Sequence, residues 1–183
     1  MKTIYFAATS LDGFIADKNN SLEWLFQFGE PEGDGGENII QNFVDSIGSI
    51  AMGSTTYLWL YDYLSKSKEP WPYKVPSFVF TSRSDLPSIP NADVRFVKGD
   101  VVPVHRKMVE LSGSKNVWVM GGGELAGKFY DANLLDELQL HVASVTIGGG
   151  APLFPRYSRP LVLKSVKQRG TGGVELIYQV QKL

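Results

Sequence analysis

Three consecutive glycines, Gly121, Gly122 and Gly123, follow the apolar run Val117, Trp118, Val119 and Met120 and precede a helix-compatible stretch that opens with Glu124 and Leu125. Lacking a Cβ, these positions admit positive φ and let a ligand approach the peptide groups closely. A helix starting directly behind them aims its unpaired N–H groups at that ligand, which favours an anion such as a cofactor pyrophosphate. A plain tight turn is the other reading of a glycine triplet, so the rest of the chain must decide. Two further places gather polar chemistry at strand ends. At Gly53, Ser54, Thr55 and Thr56 a short strand gives way to hydroxyl residues able to cap a helix. At Thr81, Ser82 and Arg83 two hydroxyls and a guanidinium follow an apolar strand.

The elements that must position these groups alternate between strand and helix. Residues 3–9 (TIYFAAT) form an almost continuously apolar, β-rich run, as expected of a central strand covered on both faces. The turn at residues 10–13 (SLDG), the tripeptide 14–16 and a polar turn at 17–21 make a long surface excursion, of the kind that often carries function. Residues 30–37 (EPEGDGGE) read as a mobile loop. Helical spacing of Ile39, Ile40, Phe43, Val44 and Ile47 is followed by a strand at 49–52 and a helix from 54 to about 64. Residues 65–74 read as a connecting loop, 76–80 and 94–97 as strands, and 101–111 as an amphipathic helix. The glycine triplet joins a strand at 117–120 to a helix at 124–132, and 138–145 is a further strand. Runs at 161–166 and 174–180, separated by residues 170–173, predict an antiparallel hairpin at the sheet edge. The whole predicts one α/β domain over residues 1–183, with a mostly parallel sheet of about eight strands and an antiparallel tail.

Composition removes several classes of function. The 183 residues are 43% hydrophobic and 20% charged, which suits one domain with a real core. A formal charge of −1 with scattered Lys and Arg gives no basic patch for nucleic acid. With no cysteine and two histidines, disulfides, thiolate metal sites and a cysteine nucleophile are excluded and a histidine-based zinc site has little to draw on. No metal is expected. No run approaches the roughly 18 apolar residues of a membrane span, and the apolar N-terminal run is too short for a signal peptide, so the expectation is a cytoplasmic protein. His105, among charged neighbours, is expected to be solvated; His141 falls in a strand. The aromatic-rich region containing Tyr57, Trp59, Tyr61, Tyr63, Trp71 and Tyr73 is expected to be core and rim packing.

Taken in order, AATSLDGFIA (7–16), GSTTY (53–57), TSR (81–83), VWVMGGGEL (117–125) and Asp136-Glu137-Leu138 followed by GGGAPLF (148–154) resemble the dihydrofolate reductase-like superfamily over nearly the whole chain. The resemblance is strongest to the branch holding the reductase domain of bacterial riboflavin biosynthesis and its stand-alone relatives. It implies a three-layer α/β/α fold and NADPH as cofactor. The pyrophosphate would lie over Gly121, Gly122 and Gly123, gripped from the opposite side by Gly53, Ser54, Thr55 and Thr56, with Met120, Glu124 and Leu125 also binding the cofactor. Classical members carry a cation where this chain has Ser54, so Arg83, beside Thr81 and Ser82, is the candidate for the 2′-phosphate. Ala8, Gly13 and Ile15 would flank the nicotinamide, with Asp12 either taking part in catalysis or setting the turn, and Trp24 either lining the substrate site or packing in the core. Glu37 is the candidate pterin-binding acid, with an ordinary helix-terminal glutamate as the other reading. The HxE and PCxxC ligands of the deaminase domain fused to some relatives are missing. The resemblance implies reduction of a pteridine or a ribosylaminopyrimidine phosphate, and a homodimer; a non-catalytic nucleotide-binding protein is the alternative.

Overall fold

A computed structural model of the chain describes residues 1–28 and 38–182. In chain order the elements are β1 (Thr3–Ser10), β2 (Phe14–Ala16), α1 (Glu23–Phe26), α2 (Ile39–Asp45), β3 (Ile47–Gly53), α3 (Ser54–Ser67), β4 (Ser77–Phe80) and β5 (Val94–Val97). They continue with α4 (Val101–Ser112), β6 (Asn116–Gly121), α5 (Gly123–Asp131), β7 (Glu137–Ala143), β8 (Ala151–Pro152), β9 (Val162–Arg169) and β10 (Gly173–Gln179). Eight strands form one sheet in the order β5-β4-β3-β6-β1-β7-β10-β9, and β2 pairs separately with β8. From β5 through β7 all neighbours run parallel, whereas β10 is antiparallel to both β7 and β9.

Alternation along the central strand feeds two cores. Ile4 and Phe6 of β1 point toward α2 and α3, where they pack with Phe43, Ile50, Met52, Tyr57 and Trp118. Tyr5, on the opposite face of the pleat, packs with Met108 of α4 and with Leu125, Ala126 and Phe129 of α5. Each such side chain contributes about 1.5–3 kcal/mol when fully buried, so the two clusters tie helices to both faces of the sheet. The result is the predicted three-layer arrangement.

Two differences from the sequence expectation have local causes. The helix expected to end near residue 64 runs to Ser67, because Lys68 takes a left-handed conformation at φ 59° and its N–H bonds back to the Leu64 carbonyl, which ends the helix there. His105 is not solvated. Four residues after Val101 and three before Met108, it shares their inward face of α4. There its Nε2 lies 2.8 Å from the Thr3 hydroxyl and its ring meets Phe129 edge-on. Burial pulls its pKa down, against the opposing charge of Asp136.

Adjacent parallel strands β3 and β6 send their following helices to opposite faces, α3 to the cluster around Tyr57 and α5 to the cluster around Phe129. Such a switch point opens a crevice at the carboxyl ends of the strands. The pairing of β1 with β6 also stops at Tyr5 and Val119, while its pairing with β7 continues to Ser10 and Ala143. The sheet therefore splays beside Phe6, Ala7 and Ala8, directly where the crevice begins.

Candidate active site

A cavity of about 570 Å³ occupies this crevice. One end is built by the turns that start α3 and α5. Ideal Cβ positions show how close they sit: one on Gly53 would lie 3.8 Å from the Gly121 carbonyl oxygen, and one on Gly121 would lie 3.6 Å from the Thr56 hydroxyl. Gly121 has φ 148°, open to glycine and rarely adopted by other residues, and the Gly121–Gly122 peptide is cis. At Gly123 a side chain would collide with the carbonyls of Pro152 and Leu153, so helix α5 can pass under that segment only with glycine there.

Capping divides the long helices into two kinds. Helices α2 and α4 begin with Asn38 and Asp100, whose side chains accept the amides of Gln41 and Val102. Helices α3 and α5 begin with Gly53 and Gly122 and have no side-chain cap. Ser54, Thr55 and Thr56 lie inside α3 and do not cap it, a correction to the capping expectation. Both uncapped N-termini thus present free amides and the positive end of the helix dipole at the same cavity.

The opposite wall is the β1–β2 turn, and the sheet's far loop holds it in place. Ser10 donates its hydroxyl proton to Asp12 at 2.6 Å, and the Asp12 carboxylate accepts amide protons from Gly148 at 2.8 Å and Ile147 at 3.1 Å. The Leu11 amide donates to the Val145 carbonyl at 2.7 Å, and the Leu153 amide to the Gly13 carbonyl at 2.9 Å. Gly150, at φ 147°, passes so close to the Ala16 carbonyl that no side chain fits. The Ser10 hydroxyl, followed by the two backbone amides, holds the Asp12 carboxyl below the usual carboxylate range. In this geometry Asp12 sets the turn and does not line the cavity, whereas Ala8 and Ile15 do.

Of the residues singled out in sequence, Ala8, Ile15, Gly53, Ser54, Thr55, Thr56, Met120, Gly121, Gly122, Gly123, Glu124 and Leu125 come together around the cavity. Gly13 lies in the turn behind Ile15 and outside the lining, at φ 86°. Thr81, Ser82 and Arg83 follow the lining residue Phe80 without lining the cavity themselves; the Thr81 hydroxyl accepts the Arg83 amide, and the exposed guanidinium pairs with Asp85 at 3.2 Å. Trp24 is half-buried on α1 without lining the cavity, although its neighbours Leu22 and Leu25 do. Glu37 and the expected loop at 30–37 lie outside the described residues.

Sequence reasoning missed several lining residues. Lys128, on the second turn of α5, is the only cation among the described lining residues; the one other charged side chain, Glu124, is paired with Arg156 at 3.1 Å. Phe6, Leu60, Tyr73 and Trp118 line the end away from the phosphate-type turns. Spacing along α5 offered a signal for Lys128, four residues after Glu124. Tyr73 lies in a proline-rich connection whose packing no local pattern reports. Among the described residues no helix is long and apolar enough to cross a membrane.

The RibD C-terminal domain family model matches residues 1–174. The Bacillus subtilis (strain 168) uncharacterized protein YwjB is 32% identical over 180 residues, covering 97% of each chain. A structure from Shewanella sp. PV-4, provisionally assigned to riboflavin biosynthesis, superposes with a TM-score of 0.77 at 26% identity and covers 100% of both chains. The dihydrofolate reductase of Enterococcus faecalis, solved with NADP(H), gives a TM-score of 0.56 at 15% identity over 99% of this chain and 97% of its own, a likeness of fold alone. The architecture is dihydrofolate reductase-like, and with its family model covering all but the last few residues, the chain belongs to the RibD C-terminal domain family.

Proposed function

We propose that the protein is an NADPH-dependent reductase of a small conjugated molecule. The observation that carries this reading is the pair of helices, α3 and α5, that begin without side-chain caps and converge on one cavity across a glycine turn. The donor set fits a pyrophosphate: free amides at two helix starts, the Ser54, Thr55 and Thr56 hydroxyls, and space that a Cβ at Gly53 or Gly121 would fill. Lys128 is the residue placed to meet a further phosphate, since Arg83 is turned to Asp85. When bound, NADPH supplies a hydride. The chain's own residues orient the exchange: β1 opens beside Ala7 and Ala8 where it parts from β6, and Ile15 and Ala16 close the cavity from the pinned turn. These apolar groups exclude water from the end where the reduced molecule binds. Membership of the RibD C-terminal domain family supports a reduction of the type used in riboflavin synthesis.

The test follows the loss of reduced-nicotinamide absorbance with a pteridine and with a ribosylaminopyrimidine phosphate as acceptors. Turnover with either supports the reading. Tight NADPH binding without turnover on any acceptor favours the nucleotide-binding alternative, and absence of NADPH binding contradicts both.

A further inference from the structure

The cavity changes character along its length. Its phosphate-type end carries amides, hydroxyls and Lys128; its other end is walled by Phe6, Leu22, Leu25, Leu60, Tyr73 and Trp118. Three of these are aromatic, with Trp118 edge-on to Tyr73 at 5.6 Å and to Phe6 at 6.1 Å between ring centroids. The Trp118 indole N–H is already committed to the Phe6 carbonyl at 3.2 Å. The Tyr73 hydroxyl, which has no hydrogen-bond partner among the described residues, is thus a free polar side-chain atom of this wall, beside the Asn20 carboxamide and the Trp59 indole that also line the cavity.

Among the described residues no counter-charge serves this end. The charged lining residues, Glu124 and Lys128, both sit on α5 at the other end. Residues 29–37 contain no Lys or Arg. Arg169, on the outer hairpin, is buried and neutralised by Glu175 at 3.0 Å. A phosphate placed among these rings would lose its hydration without gaining a partner, whereas a flat ring would meet aromatic edges and faces.

Resting on the reading of the cavity as a reductase site, we infer that this end takes a flat, uncharged, conjugated heterocycle bearing no phosphate, its polar edge hydrogen-bonded to the Tyr73 hydroxyl. Burial raises the Tyr73 phenol to about 12, so it stays a protonated donor at neutral pH. The acceptor is thereby separated from phosphoribosyl compounds by an unfavourable desolvation as well as by shape.

The experiment is calorimetric titration of the full chain with neopterin, with neopterin triphosphate and, separately, with NADPH. Neopterin is expected to bind about tenfold or more tightly than its triphosphate, and Tyr73→Phe to weaken neopterin about fivefold while leaving NADPH affinity unchanged. Equal or tighter binding of the triphosphate overturns the inference, as does failure of neopterin to bind a protein that binds NADPH. Unchanged neopterin affinity in Tyr73→Phe overturns the assignment of that hydroxyl. Binding of neopterin by a protein that does not bind NADPH upholds the inference and removes the reductase reading instead.

Discussion

The Asp12 carboxylate accepts the Gly148 amide proton at 2.8 Å, joining two loops 136 positions apart. This contact fixes the turn that leads through Gly13 to Ile15, which lines the cavity. Its acidity supports a holding role: the Ser10 hydroxyl and then the Gly148 and Ile147 amides favour the ionised form. With its folded pKa depressed, the contribution of Asp12 is present at neutral pH and is lost only as pH falls through that lowered value. Asp12→Ala is expected to weaken NADPH binding about three- to tenfold by freeing the turn. A fall in turnover with NADPH affinity unchanged would instead make Asp12 a participant in the chemistry.

The charge that reads the cofactor's extra phosphate is expected on α5. Lys128→Gln should cut the preference for NADPH over NADH about three- to tenfold, the range of one charge-assisted hydrogen bond at an exposed site. Arg83→Ala should leave that preference unchanged, because the guanidinium is already engaged by Asp85. Dissociation constants for both cofactors on the two variants decide it, and the reverse pattern would return the role to Arg83.

Gly123 lines the cavity and also offers a test of stability. Any side chain there meets the Pro152 and Leu153 carbonyls, which are backbone and cannot rotate away. Gly123→Ala is expected to cost about 1–3 kcal/mol, lowering Tm by roughly 3–10 °C. A melting temperature equal to wild type would show that the 150–154 segment yields more easily than its bonding to Gly13 and Tyr5 implies.

Much of this arrangement could be read from sequence because it is local. The glycine triplet, the strand before it and the helix behind it are neighbours in the chain, and Gly53 to Thr56 repeats the same strand-to-helix logic. What could not be read depends on side-chain pairing and on partners far apart. Arg83 looked available for phosphate, yet the nearest carboxylate, two residues on at Asp85, claims it. Glycines 148 to 150 could be read only as part of the GGGAPLF run, whereas the fold shows that Gly150 is required by the passing Ala16 carbonyl. The wall formed by Phe6, Leu60, Tyr73 and Trp118 draws on four separate stretches of chain, and only the folded sheet brings them to one place. His105 was misjudged because its charged sequence neighbours outweighed its helical spacing with Val101 and Met108.

The two histidines set the acid response. His141 lies between Phe6 and Glu175, and burial lowers its pKa more than the Glu175 carboxylate restores it, so the 3.6 Å approach to Glu175 is not an ion pair at neutral pH. His105 is lowered for the same first reason. Unfolded histidines take up protons below about pH 6.5 while these two resist, so the unfolded state binds more protons and stability falls as pH drops through that region. Tm is expected to decline by a few degrees from about pH 7.5 to about pH 5.5, and His141→Leu to flatten part of that slope. A slope identical in wild type and variant would show that His141 is as readily protonated folded as unfolded.

The account turns on the free helix N-termini, and Ser54→Asp tests them with opposite signs. At the first position of α3 a carboxylate favours the helix dipole by about 0.3–1 kcal/mol, so folding stability should hold or rise slightly. The same charge points into the cavity where a pyrophosphate would sit. Titration of wild type and Ser54→Asp with NADPH, followed by quenching of tryptophan emission, is the direct measurement. The account predicts saturable wild-type binding in the micromolar range and at least about tenfold weaker binding by a variant whose Tm is not lowered. Equal NADPH affinity in the two proteins would contradict it.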